Sequence, residues 1–256
     1  SVLHSEFADI DALRKYVSQQ IHDFHALNGR GVIAHFNPES YERYIWFARV
    51  GDGSLGGKAR GLAFLNSLVQ KYNLSRKYDD VKISIPRTIV VATDYFDQFI
   101  VENGLQYVID SEISDEEILS EFVSSRLPEG LVEELKSYID TVRTPLAVRS
   151  SSKLEDSSYQ PFAGVYSTYM IPLVENKSQM LRMLGKAIKS VYASVFYAGS
   201  RTYIQTTANL LSEEKMAVVI QSICGSQHDG LYYPMLSGVA RSVNFYPIGS
   251  EKPEDG

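Results

Sequence analysis

The chemistry-bearing stretch of the chain is Leu146-Ala147-Val148-Arg149-Ser150-Ser151-Ser152, followed by Lys153-Leu154-Glu155-Asp156 and then Pro161-Phe162-Ala163-Gly164. Its apolar start reads as a buried strand that runs out into an arginine and three hydroxyls. A guanidinium at a strand end is a fixed, permanently charged fork of donors suited to phosphate or carboxylate oxygens. The serines and Gly164 can add hydroxyl and backbone N–H donors around the same anion. The same residues also fit a structural ion pair beside a serine-rich loop. A second stretch, Gly51-Asp52-Gly53-Ser54-Leu55-Gly56-Gly57-Lys58, bears on that choice. It lies between an aromatic-rich strand expected over 44–48 and a helix expected over 59–72. Strand, glycine loop, lysine and helix together describe a phosphate site, because helix N-termini and free backbone N–H groups attract anions. A flexible turn with a solvated lysine is the other reading. The loop is not a Walker A motif, which needs glycine where Asp52 stands and serine or threonine where Ala59 stands.

The elements that must position these residues differ in type along the chain. Apolar residues from Phe7 to Leu27 recur at helical spacing and predict a helix over 7–27, ended by Asn28-Gly29. A strand pair or bent strand is expected over 81–92, with Pro86 confining part of it to an edge or bulge. Thr93 is expected to cap the next helix, which Asn103-Gly104 ends. Ser114-Asp115-Glu116-Glu117 reads as a capping box, and Pro128 opens a helix running to about Val142. Further strands are expected over 166–171, 216–223 and 238–246, with a long helix starting at Ser178. This mixture predicts an α+β (mixed α/β) protein. His22 and His25 lie three apart on the first helix, but no third ligand is near them, so they read as surface or packing histidines. Cys224 reads as a small buried hydrophobe.

Composition excludes several classes. With 256 residues, 44% hydrophobic and 22% charged, the chain can bury a core as one large domain or two lobes. A net charge of −6 leaves no broad basic footprint for nucleic acid. One cysteine permits no internal disulfide and fits a reducing compartment. The first residues lack the charged and apolar regions of a secretory leader, and no apolar run approaches bilayer-spanning length. A cytoplasmic chain without a membrane partner is expected. It starts without methionine and stops in a polar run, so it reads as a piece of a longer protein.

Other stretches join the two motifs in order. These are Tyr192-Ala193-Ser194-Val195-Phe196 with Arg201 and Tyr203, then Ala217-Val218-Val219-Ile220-Gln221, then Ser237-Gly238-Val239. Together with Gly56-Gly57-Lys58-Ala59-Arg60-Gly61-Leu62 and the Arg149-Ser150-Ser151 to Gly164 signature, the series resembles the nucleotide-binding domain of the phosphoenolpyruvate synthase and pyruvate phosphate dikinase family. The resemblance covers roughly residues 50 to 245. It departs from the family pattern at Arg241, where an aromatic residue is usual, and in 227–236, which looks like extra sequence.

The resemblance implies an ATP-grasp-like fold, with the first lobe and the beginning of the second, and ATP between lobes. The expected division is a helical leader over 1–40, a first lobe over 41–215, and the adenine-lining segment with an incomplete second lobe over 216–256. Lys58 and Arg149 are implied to contact the phosphates and to serve as the catalytic pair, with Gly57 and Ser150 beside them and Gly164 approaching closely. Gln221 and Ile223 match the segment that lines the adenine pocket. In the family, ATP is split to AMP, and the phosphoryl group goes first to a histidine on a separate domain and then to pyruvate from a third. Neither domain is expected in this chain, and the acidic Mg2+ ligands are expected beyond Gly256. An ATP-binding fragment of a dikinase-like phosphotransferase is therefore one expectation, and a nucleotide-sensing or interaction module with the same fold is the alternative.

Overall fold

A computed structural model of the chain describes residues 9–14, 16, 17, 33–43, 45–111, 113–152, 166–206, 214–240, 242–244 and 246–255. Two compact units divide it, Ser1–Ser222 and Ile223–Gly256. In the first unit, short apolar runs form a six-stranded sheet. Its order is β1 (Ala34–His35), β2 (Phe47–Val50), β3 (Thr88–Val91), β6 (Met216–Ser222), β4 (Leu146–Ser152) and β5 (Thr168–Ile171). The first three strands run parallel. Strand β6 is antiparallel to both β3 and β4, so β4 points the same way as β1 to β3. The carboxyl ends of four strands thus meet at one edge of the sheet. Ligands of such sheets gather outside that edge.

Period-two alternation gives the sheet two buried faces. Val91, Leu146, Val148, Val218 and Ile220 join the larger core, as does Tyr41 from the short helix α1 (Pro38–Arg43). Helices α3 (Thr93–Glu102), α4 (Asp115–Ser124), α5 (Glu129–Ile139) and α6 (Lys177–Ser194) supply its other wall, through Phe99, Phe122, Leu135 and Tyr192 among others. Val90, Ala92, Ala217 and Val219 face the other way and pack with Leu55, Ala59 and Leu62 at the start of helix α2 (Gly56–Lys71). Strand β6 is covered on both sides, which is why Met216 to Ile220 form an unbroken apolar run.

Several local expectations hold and others shift. Helix α4 begins with the expected capping box: Glu117 N–H donates to Ser114 Oγ at 3.3 Å, and Ser114 N–H donates to Glu117 Oε2 at 2.8 Å. The Ser114 N–H and the Ser114 hydroxyl, which both donate to Glu117 Oε2, hold that carboxyl below its ordinary value of 4.5. A carboxylate depressed by folding stabilises the fold above that ordinary value and loses its contribution as pH falls through the lower folded value. Glu117→Gln should therefore lower the melting temperature at neutral pH, and the difference from wild type should shrink as pH falls below the ordinary carboxyl value and vanish once the folded carboxyl is protonated. A gap that persists in acid would show that charge is not the cause.

The strand expected over 44–48 sits later, as β2. Pro86 leaves 81–87 irregular, and β3 begins only at Thr88. Thr93 does not cap α3: Ala92 takes the N-cap position without a side-chain bond. Of the helix expected over 7–27, residues 10–14, 16 and 17 are helical, and most of the rest, with His22 and His25, lies outside the described residues. Residues 216–222, read as opening a second lobe, form a central strand of the first unit's sheet.

In the second unit, the described residues of 238–246 form no strand. The strands are instead β7 (Ser226–His228) and β8 (Leu231–Tyr233), an antiparallel hairpin that overlaps the stretch read as extra sequence. Asp229 and Gly230 form its turn with φ of 48° and 83°, the left-handed pair that a two-residue hairpin needs. Cys224 is exposed rather than buried, because the covered strand ends at Ser222 and does not carry it into the core.

Candidate functional site

The glycine loop leaves β2 at the carboxyl edge of the sheet and enters α2 at Gly56. Two neighbouring elements hold it. On one side is the start of α3: Asp52 N–H donates to Asp94 Oδ2 at 2.8 Å, and Ser54 N–H donates to Thr93 Oγ1 at 2.9 Å. The backbone of Thr93 closes the contact by donating to Ser54 O at 2.9 Å. A Cβ on Gly51 or Gly53 would come within 2.5 Å of Asp94, so this turn is wrapped against the aspartate as closely as glycine permits. On the other side is the end of β4. Ala59 N–H donates to Ser151 Oγ at 3.0 Å, and Ser151 Oγ donates to Leu55 O at 2.7 Å.

These anchors place Lys58 in the first turn of α2. No acidic residue occupies that turn and Leu55 at the N-cap offers no side-chain bond, so the positive end of the helix dipole adds to the lysine charge. The Lys58 ammonium donates to Ser150 Oγ at 3.2 Å, one residue along β4 from Arg149. Arg149 is half-buried, and among the described residues its guanidinium has no hydrogen-bond or ion-pair partner. Strand pairing sets Arg149 opposite Val219 and Ala147 opposite Gln221. Arg149 and Gln221 are therefore diagonal neighbours on one face, roughly 7–8 Å apart along the antiparallel pair. The Gln221 amide donates to Thr88 Oγ1 at 3.0 Å, which fixes its orientation on that face.

The structure therefore brings Gly57, Lys58 and Ser150 together at the glycine loop, while β4 runs on through Ser152 and so sets Arg149 in mid-strand rather than at the strand end expected, with Gln221 further along the pairing. Ile223 begins the second unit, where its carbonyl accepts from Tyr232 Oη at 3.4 Å. Gly164 lies outside the described residues. Arg201 of the resemblance series is structural: it donates to the carbonyls of Phe196, Val108 and Ser111. Sequence reasoning missed Thr93, Asp94 and the part played by Ser151. The only signal for the first two was a Thr-Asp pair directly after a buried strand, at the level where the glycine loop also leaves the sheet.

Asp52 accepts from Arg49 at 2.7 Å and lies 3.3 Å from His35, a solvent-exposed group with little energetic weight. Among the described residues, no three His, Cys, Asp or Glu side chains converge to hold a metal ion. No helix among the described residues is long and apolar enough to cross a membrane.

Residues 52–256 match the family model of the pyruvate phosphate dikinase AMP/ATP-binding domain, and the chain belongs to that family. It is similar to an uncharacterized phosphotransferase, YvkC, of Bacillus subtilis, with 28% identity over 151 residues, 59% of this chain and 17% of the relative. It is also similar to a phosphoenolpyruvate synthase of Aeropyrum pernix, with 24% identity over 201 residues, 70% of this chain and 22% of the relative. The chain thus spans about a fifth of the length of these curated relatives. It is an α+β nucleotide-binding domain of a phosphotransferase family.

Proposed function

We propose that the domain binds ATP with its phosphates at the carboxyl edge of the sheet, as the nucleotide site of a dikinase-like phosphotransferase. One observation carries this reading: Lys58, in the acid-free first turn of α2, is tied to Ser150 beside a half-buried Arg149. A lysine held at a helix start and an arginine whose charge, among the described residues, is not spent on a protein partner supply what phosphoryl transfer asks of a protein, namely positioning and charge neutralisation. On this reading Lys58 and Arg149 hold the phosphates, Gly57 offers a first-turn N–H, and Ser150 orients the lysine. Gln221, turned onto the Arg149 face, lines the adenine. The phosphoryl group then passes to a histidine on another domain of a longer protein and on to an acceptor such as pyruvate, leaving AMP.

The test is AMP formation by the full-length protein from ATP and magnesium, with chromatographic detection. AMP should accumulate, and Lys58→Met should slow it by roughly a hundredfold. ATP binding without AMP formation would transfer support to a nucleotide-sensing module.

A further inference from the structure

We propose that Ser151 is a positioning residue for Lys58 and not a phosphate ligand, an inference that rests on the ATP reading above. Its side chain is fully buried, and its one hydroxyl makes two bonds across the sheet edge, to Leu55 O at 2.7 Å and from Ala59 N–H at 3.0 Å. A serine hydroxyl has a single proton to donate, and here the Leu55 carbonyl takes it. Ser151 therefore has no proton left for an anion. Leu55 and Ala59 bracket Gly56-Gly57-Lys58, so one oxygen holds both ends of the turn that carries the lysine.

The contact extends to the backbone. Gly56 has φ +71°, and a Cβ there would lie 1.8 Å from Ser151 O, so the loop and β4 touch main chain to main chain. The next residue back, Ser150, receives the Lys58 ammonium at 3.2 Å. Two successive serines thus fix one lysine, Ser151 through the backbone on either side and Ser150 at the tip of the side chain. Both stand on a strand paired with β6 along its whole length, Ser150 against Val218 and Ser151 against Ala217. A lysine has several rotatable bonds, and ordering it before the ligand arrives removes that cost from binding.

The test is a double-mutant cycle of ATP affinity by titration in the wild type, Ser151→Ala, Lys58→Met and the double variant, each checked for folding by its melting transition. Ser151→Ala should weaken ATP binding about tenfold in the wild-type background and less than about twofold when Lys58 is already methionine. Equal losses in the two backgrounds would overturn the proposal, because a serine that merely supports the fold acts whatever stands at 58. A Lys58→Met variant with wild-type affinity would bring down the ATP reading itself. Loss at Lys58 with none at Ser151 would remove only the positioning role. If Ser151→Ala does not fold, Ser151→Cys fills the same space with a weak hydrogen-bonding group and should show the same dependence on Lys58.

Discussion

Alanine at Gly56 is expected to destabilise the protein by about 3–5 kcal/mol, as a large loss of melting temperature. Two independent effects add at this position. With φ at +71° the backbone sits where a side chain strains the main chain. The new Cβ would also lie 1.8 Å from Ser151 O and 2.4 Å from its carbonyl carbon, and these atoms belong to a paired strand and cannot rotate away. Relief requires the loop and β4 to separate, breaking both Ser151 bonds. Gly61, five residues on in the same helix, is the control. It is exposed, and a methyl group there would meet nothing within 4 Å, so Gly61→Ala should stabilise by about 0.5–1 kcal/mol. Equal effects at the two glycines would mean that the packing of the loop against β4 is wrong.

Arg149→Ala is expected to weaken ATP binding by about 1.5–3 kcal/mol, roughly 10- to 150-fold, while leaving the fold nearly as stable as before. The two halves of that result have separate causes. A guanidinium makes charge-assisted bonds to phosphate, and these are the strong ones. Among the described residues no partner is left orphaned when the guanidinium is removed, so the cost to folding is small. Titration with ATP gives the first quantity and thermal melting the second. Arg149→Lys should recover little of the affinity, because a point charge does not reproduce a planar fork. Affinity at the wild-type level in a folded Arg149→Ala protein would remove the arginine from the site.

How much of this is legible in the sequence differs by residue. Strand β4, the glycine loop and the helix after it can be read because each carries local chemistry: an apolar run, a glycine cluster, a helical repeat. The Ser114-Glu117 box is legible for the same reason, being complete within four residues. Ser151 is misread because its partners, Leu55 and Ala59, lie more than ninety residues away, and a hydroxyl that looks free for a ligand is in fact bonded. Thr93 looks like a cap and becomes an acceptor for Ser54, since the glycine loop competes for its oxygen. The Asp229-Gly230 hairpin carries a strong local signal in its Asp-Gly turn, which the reading of 227–236 as extra sequence passes over. The apolar run before Cys224 suggests a core position for it, although coverage ends with the strand.

The most direct measurement is a calorimetric titration of the protein with ATP and magnesium, run beside the Lys58→Met variant with both shown to be folded. The account predicts saturable binding at one site in the wild type and at least about tenfold weaker binding in the variant. Equal affinity in the two proteins, or no binding by a folded wild type, would contradict it.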